Sequence, residues 1–199
     1  MFRDDYERIC GGLTNVHVEY MELYEFEAYK AIEDLHVNLP SQRNGMKDTK
    51  NFLVLMNTKL ECLHLAMESP SLKSSHYAWI DFGIKHVLTD ASLSRLIDIS
   101  NTNFGCILAM PGCWAKTPVF FDKIHWRFCG GFFVGDKVLL EAFYQASKAL
   151  WESTCMSYCL TWEVNYWAYL EERGMIHPIW YPGDHNDSIL DVPRSLYDS

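Results

Sequence analysis

Hydrophobic positions recur along this chain with two periods, and the period changes several times. Over 15–23, Val16, Val18 and Tyr20 alternate with His17 and Glu19, which predicts a half-buried strand. Pro40, Ser41, Gln42, Asn44 and Gly45 mark 40–50 as a loop. From Thr49 to Met67 the apolar residues Phe52, Met56, Leu60, Leu63 and Met67 fall at helical spacing. One helix with one buried stripe is expected there, ended by Ser69-Pro70-Ser71. The run 76–80 (His-Tyr-Ala-Trp-Ile) reads as a buried strand whose carboxyl end delivers Asp81 to a loop, and a short helix near 91–99 follows. The next strand is expected over 104–110, stopped by Pro111-Gly112. Another is expected over 125–134, with Gly130 and Gly131 in its middle. Glycine inside a strand marks a bulge or a close approach. Val138, Leu139, Ala142, Phe143, Ala146 and Leu150 mark a second long helix. A third is expected over 161–173, with Thr161 as N-cap and Gly174 as its stop.

Strands and helices alternate, so the pattern predicts an α/β layered fold in which helices flank a central, mostly parallel or mixed sheet. The 199 residues suit a single domain spanning 1–199, whether alone or as a piece of a longer protein. In such folds ligands sit outside the carboxyl ends of the strands.

Composition narrows the function. The net charge of -9 supplies no basic field, which argues against nucleic acid and membrane surfaces as partners. The 15% aromatic content rules out disorder and suits either a core or a carbohydrate site. The seven cysteines (10, 62, 106, 113, 129, 155 and 159) contain no CxxC pair and read as reduced, mostly buried thiols. Charges at Arg3, Asp4 and Asp5 stand where a secretory signal would be apolar, and no uncharged apolar run reaches membrane-spanning length. A soluble, cytoplasmic protein is expected.

Three places could carry chemistry. Asp81 at the end of an apolar strand can cap the following turn or offer oxygen to a hard divalent cation. Asp81-Phe82-Gly83 is not a kinase magnesium motif, because no His-Arg-Asp loop and no glycine-rich phosphate loop accompany it. Gly130-Gly131 let either a ligand or a crossing element approach the backbone. In the last quarter, Glu163 and Asn165 open a helix, where an acid also favours the helix dipole. His185 follows a Pro-Gly turn between Asp184 and Asp187.

Four runs resemble a known family. They are 79–83 (Trp-Ile-Asp-Phe-Gly), 126–133 (Trp-Arg-Phe-Cys-Gly-Gly-Phe-Phe), 161–165 (Thr-Trp-Glu-Val-Asn) and 180–188 (Trp-Tyr-Pro-Gly-Asp-His-Asn-Asp-Ser). Their order resembles that of GT-A-fold glycosyltransferases. More closely it is similar to the bacterial HtrL/YibB proteins and to the first domain of a chlorovirus-encoded glycosyltransferase, over about residues 50–190.

The resemblance implies a GT-A-like three-layer α/β/α domain that moves a hexose from a nucleoside-diphosphate sugar to a glycan, glycoprotein or other hydroxyl acceptor. A UDP-sugar is favoured as donor, UDP-glucose or UDP-rhamnose for example, and retention is favoured over inversion. Asp81 and His185 would hold Mn²⁺ or Mg²⁺. Asp81, Phe82, Gly83, Arg127, Gly130, Gly131, Asn165, Asp184 and Lys59 would bind the donor, with Glu163 and Asp81 catalytic. The usual Asp-x-Asp is absent, since Gly83 stands at the second acidic position. A metal-dependent hydrolase of phosphorylated substrates and a non-catalytic carbohydrate-binding module are the competing readings.

Overall fold

A computed structural model describes residues 13–197. The charged start at residues 2–5 and Cys10 lie outside the described residues. Six α-helices are described: α1 (Glu27–Lys30), α2 (Lys50–Asn57), α3 (Lys59–Glu68), α4 (Asp90–Ser100), α5 (Lys137–Ser157) and α6 (Glu163–Glu172). Four strands form one sheet: β1 (His76–Ile80), β2 (Leu108–Gly112), β3 (Phe132–Asp136) and β4 (Ile179–Pro182), in the spatial order β1-β3-β2-β4. β3 runs antiparallel to both neighbours, and β2 runs parallel to β4. The sheet is therefore mixed, with β1, β2 and β4 pointing one way and β3 the other.

Alternation along the strands separates two apolar cores. Leu108, Met110 and Phe133 face α2, α3, α5 and α6, whereas Ala109, Phe132, Val134 and Tyr181 face Ile99 of α4 and the segment around Ile189 and Leu190. The first core centres on Phe133, Phe143 and Trp167, whose ring centroids lie 5.2–6.2 Å apart. Such aromatic pairs add about 0.5–1.5 kcal/mol each beyond the area they bury. The mixed α/β architecture with helices against the sheet agrees with the sequence pattern, and β1 has the predicted bounds. No helix among the described residues is long and apolar enough to cross a membrane.

Several expectations fail for local reasons. Residues 15–22 form no strand. Val16, Tyr20 and Met21 are exposed, and no strand among the described residues pairs with the segment. The helix expected over 49–67 breaks at Thr58, whose hydroxyl donates to Leu55 O at 2.8 Å while Asn57 Nδ2 donates to Thr161 O at 2.9 Å. β2 contains Pro111 and Gly112 rather than stopping before them. Pro111 pairs with Tyr181, and its carbonyl accepts the Cys129 N–H at 2.7 Å, so no amide of its own is needed. Gly130 and Gly131 form a turn before β3 and are not inside the strand. The second long helix continues to Ser157. Trp162, not Thr161, occupies the N-cap of α6. The stop at Gly174 holds: its φ is 69°, the Gly174 N–H donates to Glu171 O, and the Met175 N–H donates to Leu170 O.

Candidate functional site

Strand direction brings the chemistry to one rim. The carboxyl ends of β1 and β4 deliver Asp81 and the turn 183–185. β3 runs the opposite way, so its amino end delivers Gly130-Gly131 to the same side. The Asp81 N–H donates to Gly131 O at 2.9 Å, which ties the first and last of these pieces together. The rim opens on a cavity of about 1320 Å³, large enough for a nucleotide-sized ligand together with a second molecule.

At the floor of the cavity stands Lys59, brought there by the break at Thr58 and only 3% exposed. Its ammonium lies 2.8 Å from Glu163 Oε1, 2.9 Å from Asp81 Oδ1 and 2.9 Å from Gly130 O. It also lies 5.8 Å from the ring centroid of Trp79. Burial alone would depress the lysine pKa, but Glu163 and Asp81 outweigh it and raise it above the ordinary value. Trp79 sits two residues before Asp81, and its Nε1 donates to Asp81 Oδ1 at 2.6 Å, which orients the carboxylate.

The two carboxylates differ in setting. Asp81 is 34% exposed and Glu163 only 8%. Oε1 of Glu163 is held by Lys59, while Oε2 accepts no hydrogen bond among the described residues and belongs to a side chain that lines the cavity. Gly130 makes this packing possible, because a β-carbon there would overlap Glu163 Oε1. At Gly131 a β-carbon would press on Ile84 Cδ1.

His185 lines the same cavity, with its ring edge-on to Trp126 at 4.4 Å between centroids. Neither ring nitrogen is hydrogen-bonded among the described residues, so the imidazole keeps a lone pair for a cation. Its backbone N–H donates to Asp184 Oδ1 at 2.7 Å, and that bond, with the Cys113 thiol, lowers the Asp184 pKa. Asp187 accepts from Ser92 Oγ and from both the amide and the hydroxyl of Thr89. These donors pull its carboxyl down to about 2 and tie the His185 turn to the start of α4.

Of the residues expected at the donor site, Asp81, Phe82, Gly83, Lys59, Gly130, Gly131, Glu163 and His185 share this cavity, with Phe82 85% exposed at its mouth. Asp184 supports the turn from outside it. Arg127 and Asn165 lie elsewhere. Arg127 is buried against Glu171, and Asn165 is fully buried where it fastens the 120–125 segment. The apolar walls were not singled out in the sequence. Phe52, expected in the buried stripe, packs against the core and also lines the cavity; Met56, expected in the same stripe, lines the cavity, while Leu53 and Val54 take core positions. Trp79 could have been found from its period-2 relation to Asp81, whereas nothing local distinguishes Trp126.

A carboxylate and an imidazole are ligand types that Mn²⁺ accepts, and Asp81 and His185 line one cavity, but both Asp81 oxygens already lie within 3.1 Å of the Lys59 ammonium. Among the described residues no group of three or more His, Cys, Asp or Glu side chains forms a complete metal cage. Substrate oxygens and water would have to complete the coordination. No family model matches the chain, and no curated protein or solved structure matches it either.

Proposed function

We propose that this chain is a glycosyltransferase with a GT-A-like domain, moving a hexose from a nucleoside-diphosphate sugar, UDP-linked by preference, to a hydroxyl of a glycan or glycoprotein. The observation that carries this reading is the meeting of Asp81, His185, Gly130-Gly131 and Glu163 on one cavity at one rim of the sheet. A Mn²⁺ or Mg²⁺ ion held by Asp81 and His185 would neutralise the charge that develops on the departing diphosphate.

The chain's own residues supply the rest. Gly130 and Gly131 let the sugar ring lie against the backbone without a side chain between. Glu163, fixed through Oε1 by Lys59, presents Oε2 to the face where the anomeric carbon gains positive charge as the glycosidic bond lengthens. A fixed carboxylate in a buried setting stabilises that charge without reorganising. Trp79, Trp126 and Trp162 line the cavity and give the sugar apolar faces to pack against. Retention follows from this assignment: Glu163 serves as a charge stabiliser, and the leaving phosphate takes the acceptor proton on the same face.

The test is incubation with UDP-sugars and Mn²⁺, following UDP release and sugar transfer. Asp81→Asn and His185→Ala should each lower Mn²⁺-dependent donor affinity at least tenfold. Inorganic phosphate as product would assign a hydrolase, and donor binding without turnover would assign a carbohydrate-binding module.

A further inference from the structure

Beside the cavity rim, two sulfurs stand together that the reading above does not use. Cys113 directly follows β2, and Cys129 directly precedes Gly130. Their Sγ atoms are 3.6 Å apart. The backbone holds them in place, since the Cys113 N–H donates to Trp126 O at 3.1 Å and the Cys129 N–H to Pro111 O at 2.7 Å. A disulfide needs a sulfur separation of about 2.05 Å, so each sulfur has less than one bond length to travel. Cys129 is 1% exposed and Cys113 partly exposed, so a small reagent reaches Cys113 first.

Each thiol also holds the His185 turn. Cys113 Sγ lies 3.6 Å from Asp184 Oδ1, and Cys129 Sγ lies 3.5 Å from Gly183 O. Joining the sulfurs removes both S–H donors from these oxygens. Asp184 in turn accepts the His185 N–H, so the change passes directly to His185.

We propose that Cys113 and Cys129 form a redox-active dithiol that closes to a disulfide under a peroxide and thereby loosens the turn 183–185. The Cys113 thiolate attacks one peroxide oxygen, the O–O bond breaks, and the departing hydroxide takes up a proton to leave as water. Cys113 is then a sulfenic acid. The Cys129 sulfur attacks it, the S–S bond forms, the S–O bond breaks, and a second water leaves. In sum, two thiols and one hydrogen peroxide give one disulfide and two waters. Burial pushes both thiols above their ordinary range, which keeps the thiolate fraction small and makes closure slow. This pair acts on the turn whether or not the cavity transfers a sugar.

The test treats the whole chain with hydrogen peroxide, alkylates remaining thiols and maps peptides by mass spectrometry. The expected product is a Cys113–Cys129 cross-linked pair, two hydrogens lighter than the dithiol and restored by dithiothreitol. Amide exchange over residues 183–190 should become several-fold faster in the oxidised protein. Cys113→Ser and Cys129→Ser should each abolish the cross-link, and Cys62→Ser should leave it intact. If the Cys129 variant does not fold, the wild-type peptide map decides alone. Over-oxidation of Cys113 without a cross-link, a cross-link between other cysteines, or unchanged exchange over the turn would overturn the proposal.

Discussion

Arg127 grips both carboxylate oxygens of Glu171, with Nε 2.9 Å from Oε2 and Nη2 2.8 Å from Oε1, and neither side chain is more than 9% exposed. Its guanidinium also lies 4.9 Å from the ring of Trp180 and donates to Trp114 O. The pair is a structural clamp between the 126–129 turn and α6. Removing one partner of a buried pair strands the other charge, at a cost of about 3–5 kcal/mol. Arg127→Met should lower the urea midpoint accordingly, and Arg127→Lys should recover little, because an ammonium cannot reproduce the two-pronged contact. An unchanged midpoint with lost donor binding would return Arg127 to the substrate site.

Gly130→Ala tests the cavity floor. The added methyl group meets Glu163 Oε1 and comes within 3.2 Å of Lys59 Nζ, so the carboxylate or the ammonium has to move. A loss of about 1–3 kcal/mol is expected from overpacking. Gly45→Ala is the control, since nothing lies within 4 Å of a β-carbon there. Thermal unfolding of the two variants should separate them by several degrees.

His125 is fully buried, edge-on to Phe120 and Trp114, and both ring nitrogens lack a partner among the described residues. Burial lowers its pKa, so the unfolded chain takes up the proton first. Its contribution to stability is complete above about pH 6.5, the unfolded imidazole value, and is lost as pH falls below it. Between about pH 7.5 and pH 5.5 the urea midpoint of the wild type should fall more than that of His125→Phe. Parallel curves for the two proteins would show that this ring is not the acid-sensitive group.

Asn165, itself fully buried, makes three hydrogen bonds. It accepts from the His125 N–H at 2.8 Å and donates to Phe120 O and Lys123 O at 2.9 and 2.7 Å. Asn165→Asp keeps the shape but sets an acceptor against two carbonyls. Its expected cost is about 2–4 kcal/mol, with faster amide exchange over 120–125. Unchanged exchange in that segment would mean the fastening lies elsewhere.

Local pattern carried the reading wherever a segment's neighbours were implied by its own period. The run from His76 to Ile80 is apolar, short and followed by an acid, and strand β1 ends one residue before Asp81. Gly174 ends α6 because the left-handed backbone there is a local requirement. The failures arise where a distant partner decides. Val16, Val18 and Tyr20 alternate, yet no strand among the described residues pairs with the segment, and Pro111 sits in β2 because its carbonyl accepts the Cys129 N–H on one edge while Tyr181 pairs beside it on the other. At the site, Asp81, Glu163, the paired glycines and His185 could be picked out by residue type and position. Arg127 and Asn165 look equally polar in sequence. Only the packing of α6, which brings Glu171 and the 120–125 segment to them, places them away from the cavity.

Lys59 and Glu163 are 104 residues apart in the chain, and so are Asn57 and Thr161, whose contact fixes the break that aims Lys59. Closing loops of that length costs entropy that only the assembled core recovers. The floor of the cavity therefore cannot exist until the last quarter of the chain has docked. A chain cut before α6 would lack Glu163 and the Thr161 contact that aims Lys59, and so would have no site. Competence at this rim is thus a report on complete folding, and a partly folded population would be inert rather than errant.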